Sequence, residues 1–195
     1  MREPPLPTNR LRIGGLTPLT SIDFPGRLAA VVFCQGCPWR CGYCHNPELL
    51  DATQPGALDW DEVLAFLHKR RGLLDGVVFS GGEPLLQAAL PEALDAVRAL
   101  GYATALHTCG MYPERLAALL PRLDWVGLDI KGPWERIDAI TGSRASGPRV
   151  RREPEIPFPT ESSSVSSGVR RSSHSWPDRR RSSTRGSSAA ALPGS

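Results

Sequence analysis

Leu28-Ala-Ala-Val-Val-Phe-Cys-Gln-Gly-Cys-Pro-Trp-Arg-Cys-Gly-Tyr-Cys44 joins two patterns end to end. Its first half is a near-continuous apolar run with β-branched residues, which predicts a strand buried on both faces of a parallel sheet. Its second half places Cys37, Cys41 and Cys44 within eight residues, at a Cys-x3-Cys-x2-Cys spacing. Three thiols on one short loop can converge on one metal centre and leave a coordination position empty. Pro38 and Trp39 stiffen the loop, and Gly42 permits a close turn.

Similar units follow. Asp59-Trp-Asp-Glu62 reads as a capping box opening a helix, with Trp60, Val63, Leu64 and Leu67 on one face and Gly72 as terminator. Gly76-Val-Val-Phe79 is a second buried strand, running into Ser80-Gly-Gly-Glu-Pro84. A helix through Pro91–Leu100 leads to a third strand, Tyr102–His107, which ends in Thr108-Cys-Gly110. A third helix, Pro113–Leu120, precedes a fourth strand over Trp125–Ile130, ending in Asp129-Ile-Lys131. Upstream, Leu11–Thr20 reads as a strand or hairpin arm, and Asp23-Phe-Pro-Gly26 as a turn. Alternating strands and helices predict an α/β fold with a parallel sheet. Ligands bind at the C-terminal edge of such sheets, where all four strands here carry polar or Gly-rich residues.

Charge is divided along the chain. From Ser143 onward ten Arg face four acidic residues, +6, which leaves −3 on the first 142 residues of a chain with formal charge +3. The basic balance therefore belongs to the tail, and nucleic-acid binding is not expected. No stretch of eighteen apolar residues exists, so no membrane-spanning helix is expected, and Met1–Pro7 lacks the apolar core of a secretory signal. A reducing, cytoplasmic setting follows, in which clustered cysteines read as metal ligands rather than disulfides.

Taken alone, the cysteine loop admits three chemistries. An iron–sulfur cubane takes one thiolate per iron, so three thiolates leave one iron open to a substrate. Cys41-Gly-Tyr-Cys44-His45 also matches the haem-attachment pattern, which gives Cys37 no role. A structural zinc site would need His45 or Cys34 as a fourth ligand. Cys34 and Cys109 read as small buried residues, and His68 as a surface residue.

The spacing of Cys37, Cys41 and Cys44, with Tyr43 before the last cysteine, resembles the signature of the radical S-adenosylmethionine superfamily. The wider stretches Thr20-Ser-Ile-Asp-Phe-Pro-Gly26 and Val32–Pro47 resemble the glycyl-radical-enzyme activating enzymes, and most of all the activating proteins of anaerobic ribonucleoside-triphosphate reductase. The resemblance covers about residues 11–142. It implies a [4Fe-4S] cluster on Cys37, Cys41 and Cys44, with S-adenosylmethionine on the fourth iron and Tyr43 beside the adenine. Gly81, Gly82, Glu83 and Pro84 would contact the methionyl ammonium. Thr108, Asp129 and Lys131 would contact ribose or the methionyl carboxylate; the alternative for the last two is a solvated ion pair. It further implies reductive cleavage to a 5′-deoxyadenosyl radical, which takes hydrogen from a glycine of a partner glycyl-radical enzyme. The electron would come from a flavodoxin- or ferredoxin-type donor. Another radical enzyme or maturase, or a catalytically dead metal-binding fragment, are the competing functions.

The family fold is a partial barrel of six βα units, and only four strands are legible here. An incomplete partial barrel over residues 11–142 is therefore expected, between a disordered extension at 1–10 and a disordered Ser/Arg-rich tail at 143–195. That tail holds fifteen Ser and ten Arg among few aliphatic residues, the composition a shifted reading frame of a GC-rich coding region produces. An unpaired fourth strand would also favour aggregation.

Overall fold

The computed structural model describes residues 10–144. The expected extension and tail lie outside the described residues, apart from Arg10, Ser143 and Arg144.

Five strands form one sheet in the order β1-β2-β3-β4-β5. Strand β1 (Ile13–Thr20) pairs antiparallel with β2 (Ala29–Cys34), and β2, β3 (Gly76–Gly81), β4 (Ala103–Thr108) and β5 (Trp125–Leu128) run parallel. The predicted four parallel strands are thus present, and the predicted arm is the antiparallel edge. Strand β3 continues through Ser80 and Gly81 because both pair with β2, opposite Phe33 and Cys34. The fourth strand stops two residues earlier than expected, at Leu128.

Three helices cross between the parallel strands: α1 (Trp60–Lys69), α2 (Leu90–Ala99) and α3 (Pro113–Leu119). The α1 capping box is present, with the Asp59 N–H donating to Glu62 Oε2 at 3.1 Å. Their apolar faces pack on the alternate strand residues Ala30, Val32, Cys34, Val77, Phe79 and Leu106 to make the main core. A short helix α4 (Ile137–Thr141) follows a 3-10 turn and ends at Gly142, which is left-handed at φ +62°.

The other sheet face carries a smaller cluster of Phe24, Ala29, Val31, Val78 and Ala105, flanked by Phe33, Ala103 and Trp125. Phe24 belongs to the predicted turn after β1, which folds across this face. His107 helps tie it down, its Nε2 lying 3.0 Å from the Asp23 carbonyl. A carbonyl can only accept, so Nε2 carries the proton and Nδ1 accepts from Ser80 Oγ, 3.4 Å away. Among the described residues no helix is long and apolar enough to cross a membrane.

The sheet thus delivers four strand ends to one edge: Cys34, Gly81, Thr108 and Leu128.

Candidate metal and cofactor site

Beyond Cys34 the chain makes a closed loop. Its neck is held by the Gly36 N–H to the Leu49 carbonyl at 2.7 Å and the Cys37 N–H to the Leu50 carbonyl at 3.2 Å. Gln35 braces the neck, its Nε2 donating to the Glu48 and Asp51 carbonyls at 3.0 Å each. Gln87 Nε2 donates to the Gln35 and Arg12 carbonyls, at 2.7 and 3.0 Å. Gln35 and Gln87 are both buried, so these bonds hold in a low-dielectric setting.

Above the neck, Trp39 is the loop's anchor. It is 1% exposed and packs with Cys109, Met111 and Ile137, with Cys37 and Cys41 against the same cluster. Arg40 folds back so that Nη1 donates to the Cys37 and Trp39 carbonyls at 2.8 and 2.9 Å. The Arg40 N–H donates to the Thr141 carbonyl of α4 at 2.7 Å. The last described helix therefore backs the cysteine loop.

Cys37, Cys41 and Cys44 are free and half-buried on this loop. Burial pushes the Cys37 thiol up to about 12, and the nearby Cys41 and Cys44 add to the rise. Burial also raises Cys41, against the pull of Lys131. Thiolate ligation to a metal centre would offset the rises at Cys37 and Cys41, because cysteines bind metal deprotonated. Among the described residues no three His, Cys, Asp or Glu side chains gather around a single metal ion. Cys34 is fully buried in the helix-side core.

The Gly-Gly-Glu turn is set against the root of this loop. The Gly82 N–H donates to the Cys34 carbonyl at 2.9 Å, and the Glu83 N–H to the Gly36 carbonyl at 2.8 Å. A Cβ on Gly82 would sit 2.2 Å from the Gly36 oxygen, and one on Gly81 2.5 Å from the Cys34 nitrogen. Both glycines therefore admit backbone of the cysteine loop. Gly81 in addition has φ +107°, open to few side chains.

Glu83 and Thr108 are placed differently from the expectation that they face a ligand. Glu83 is 0% exposed. Its Oε1 accepts from the Leu85 N–H at 3.0 Å and the Thr108 hydroxyl at 2.8 Å, and its Oε2 from the Cys109 N–H at 2.8 Å. Thr108 Oγ1 also accepts from the Gly110 N–H at 3.1 Å. Burial raises the Glu83 carboxyl above its ordinary range, while these donors pull it back. Pro84 is buried too, opening a 3-10 turn over Pro84–Leu86.

Asp129 and Lys131 do meet the loop. Lys131 Nζ pairs with Asp129 Oδ2 and lies 5.7 Å from the centre of the Tyr43 ring. The Tyr43 hydroxyl donates to the Lys131 carbonyl at 3.3 Å, with Tyr43 half exposed. Burial works to lower the Lys131 ammonium, but Asp129 outweighs it and the net shift is upward. This ion pair borders Cys41.

A model of the radical SAM superfamily matches residues 31–153, more than half of the chain. The chain belongs to the radical SAM superfamily. The match runs past the expected domain end at 142. The chain is 38% identical over 125 residues to a pyruvate formate-lyase-activating enzyme of Clostridium pasteurianum, covering 62% of this chain and 52% of that protein. It is 33% identical over 148 residues to the Listeria monocytogenes enzyme of that name, covering 69% and 59%. The chain thus spans between half and three-fifths of these relatives. Among solved structures, QueE from Escherichia coli superposes with a TM-score of 0.46 at 19% identity, over 67% of this chain and 74% of that one.

Radical SAM proteins use a [4Fe-4S] cluster and S-adenosylmethionine, and the donor set here fits. Three thiols stand together on one loop, each able to take its own iron, with the Asp129–Lys131 ion pair beside them. Sequence reading had missed the braces: Gln35, Gln87, Arg40 and Thr141. Gln35 and Gln87 each donate to two carbonyls distant in the chain, and the Arg40 N–H reaches the Thr141 carbonyl, contacts that no spacing encodes.

Proposed function

We propose that this chain carries the cluster- and S-adenosylmethionine-binding part of a glycyl-radical-enzyme activating enzyme, acting in the cytoplasm. The observation that carries this reading is the single loop holding Cys37, Cys41 and Cys44, braced at its neck by the Gly81-Gly82-Glu83 turn. Held there, the cluster and S-adenosylmethionine would supply one-electron reductive cleavage of the sulfonium C–S bond, with methionine as the leaving group, and so the radical chemistry that removes a hydrogen atom from a partner glycine. A flavodoxin- or ferredoxin-type protein is the proposed electron donor.

The chain's own residues divide the work of binding. Cys37, Cys41 and Cys44 would hold three irons. The Gly81-Gly82 backbone would border the methionyl group, with Glu83, Pro84 and Thr108 behind it. Opening of the Asp129–Lys131 pair frees an ammonium for the methionyl carboxylate, and a carboxylate for amine or hydroxyl groups. Tyr43, half exposed, offers a ring face to the adenine.

As partner we propose anaerobic ribonucleoside-triphosphate reductase, on the resemblance of Thr20–Gly26 and Val32–Pro47 to its activating proteins. The relatives described above are named for pyruvate formate-lyase, so the test offers both. Anaerobic reconstitution with iron and sulfide is expected to give about four irons per chain and broad visible charge-transfer absorption. Reduction with S-adenosylmethionine should then release 5′-deoxyadenosine, and Cys41→Ala should abolish it. A glycyl-radical signal in the added reductase supports the proposed partner, and one in the lyase alone replaces it. 5′-Deoxyadenosine with neither radical points to another radical SAM reaction. Colourless zinc-loaded protein would sink the reading.

A further inference from the structure

The Glu83 carboxylate is the one fully buried charged group at the strand-end edge among the described residues, and every partner it has is a donor from the protein. A ligand-binding carboxylate needs an open lone pair. This one receives the Leu85 N–H, the Thr108 hydroxyl and the Cys109 N–H, so three of the about four acceptor positions on its two oxygens are taken up within the protein.

What the residue joins is more telling than what it lacks. Through its N–H it holds Gly36, at the neck of the cysteine loop. Through its side chain it holds Thr108 and Cys109, at the end of β4. Cys109 in turn packs in the cluster around Trp39, against which Cys37 and Cys41 rest. One residue therefore fixes three loops that arrive from three different strands.

We propose that Glu83 is a positioning residue: a buried interlock that sets the cysteine loop against the ends of β3 and β4, acting through Gly36, Thr108 and Cys109 without touching the cofactor. An amide cannot replace it. Both oxygens face N–H or O–H donors, so either orientation of a glutamine turns its NH2 group against one of them. An unmade bond at such a depth costs more than a made one gains.

The proposal rests on the reading of the cysteine loop as the cluster site, but its first test does not. Amide hydrogen exchange is measured on the ligand-free full chain, comparing wild type with Glu83→Gln. The Cys109 amide and the segment around Gly36 are expected to exchange about tenfold faster or more, while amides of α1 and the middle of β3 stay unchanged. A role in overall stability alone would speed all of them together, and that outcome overturns the interlock. Thr108→Val, which keeps the carboxylate, should reproduce the local effect in case Glu83→Gln does not fold. Thr108→Ser, which restores the hydroxyl, should reverse it.

The second test uses reconstituted protein and the paramagnetic signal of the reduced cluster. An interlock predicts fewer irons per chain in Glu83→Gln, with the clusters that remain responding to S-adenosylmethionine at a concentration within about twofold of wild type. Full iron content with S-adenosylmethionine affinity down about tenfold or more would mean direct contact and would overturn the proposal. If wild type itself assembles no iron–sulfur cluster, the functional reading fails, and the exchange experiment still decides the interlock.

Discussion

Trp39→Ala is expected to free the cysteine loop and to cost roughly 3–5 kcal/mol of local stability, the range for removing a fully buried large aromatic side chain. The ring is 1% exposed, the largest of the fully buried side chains, and it sits between Cys37 and Cys41 in sequence. Its neighbours Cys109, Met111 and Ile137 come from the end of β4 and from α4, and they form a cluster separate from the main core. Loss of the ring therefore opens this corner before it opens the sheet. Amide exchange over residues 37–44 should rise far more than the melting temperature falls, and iron retained after reconstitution should drop to a small fraction of wild type. Trp39→Phe, which keeps most of the apolar volume, should retain most of the iron. Unchanged exchange in Trp39→Ala would remove the anchor from the account.

The sequence showed where the site lies because two kinds of pattern coincide there. Apolar runs such as Ala29–Cys34 and Gly76–Phe79 are continuous only where a strand is covered on both faces, and each is followed directly by its functional residues. The parallel sheet and its C-terminal edge followed from that coincidence, as did the three thiols. The roles of Trp39, Glu83 and Thr108 did not follow. A tryptophan beside three cysteines reads equally as a loop stiffener or a buried anchor, and only the return of α4, with Thr141 on Arg40 and Ile137 in the Trp39 cluster, decides it. A glutamate after two glycines reads as a ligand contact because nothing in the chain says that Thr108 and Cys109 will lie within hydrogen-bond reach of it. Patterns within one element were legible, whereas contacts between elements far apart in the chain were not.

The same limit explains the glycines, and it leads to the other large effect. Gly42, read as permitting a close turn of the loop, has no protein atom within 4 Å of an added Cβ. Gly82 is where the space is missing. Its added Cβ would lie 2.2 Å from the Gly36 oxygen, 2.7 Å from the Gly36 carbonyl carbon and 3.1 Å from the Leu49 oxygen. All three are backbone atoms, so no side-chain rotation relieves the overlap, which is more than about 1 Å short of ordinary contact. Relief requires β3 to part from the loop neck, and that breaks the Gly82–Cys34 and Glu83–Gly36 hydrogen bonds. Overpacking and the lost buried bonds together put Gly82→Ala at roughly 3–6 kcal/mol, a large share of the stability of a typical domain. Gly42→Ala should stay within about 0.5 kcal/mol of wild type in the ligand-free chain. Denaturant melts of the two ligand-free variants, run side by side, test this. If Gly82 were there only to admit a ligand, its alanine variant would melt like wild type and fail solely in cofactor loading. Because the crowding atoms belong to the protein's own loop, the ligand-free protein is expected to fail first.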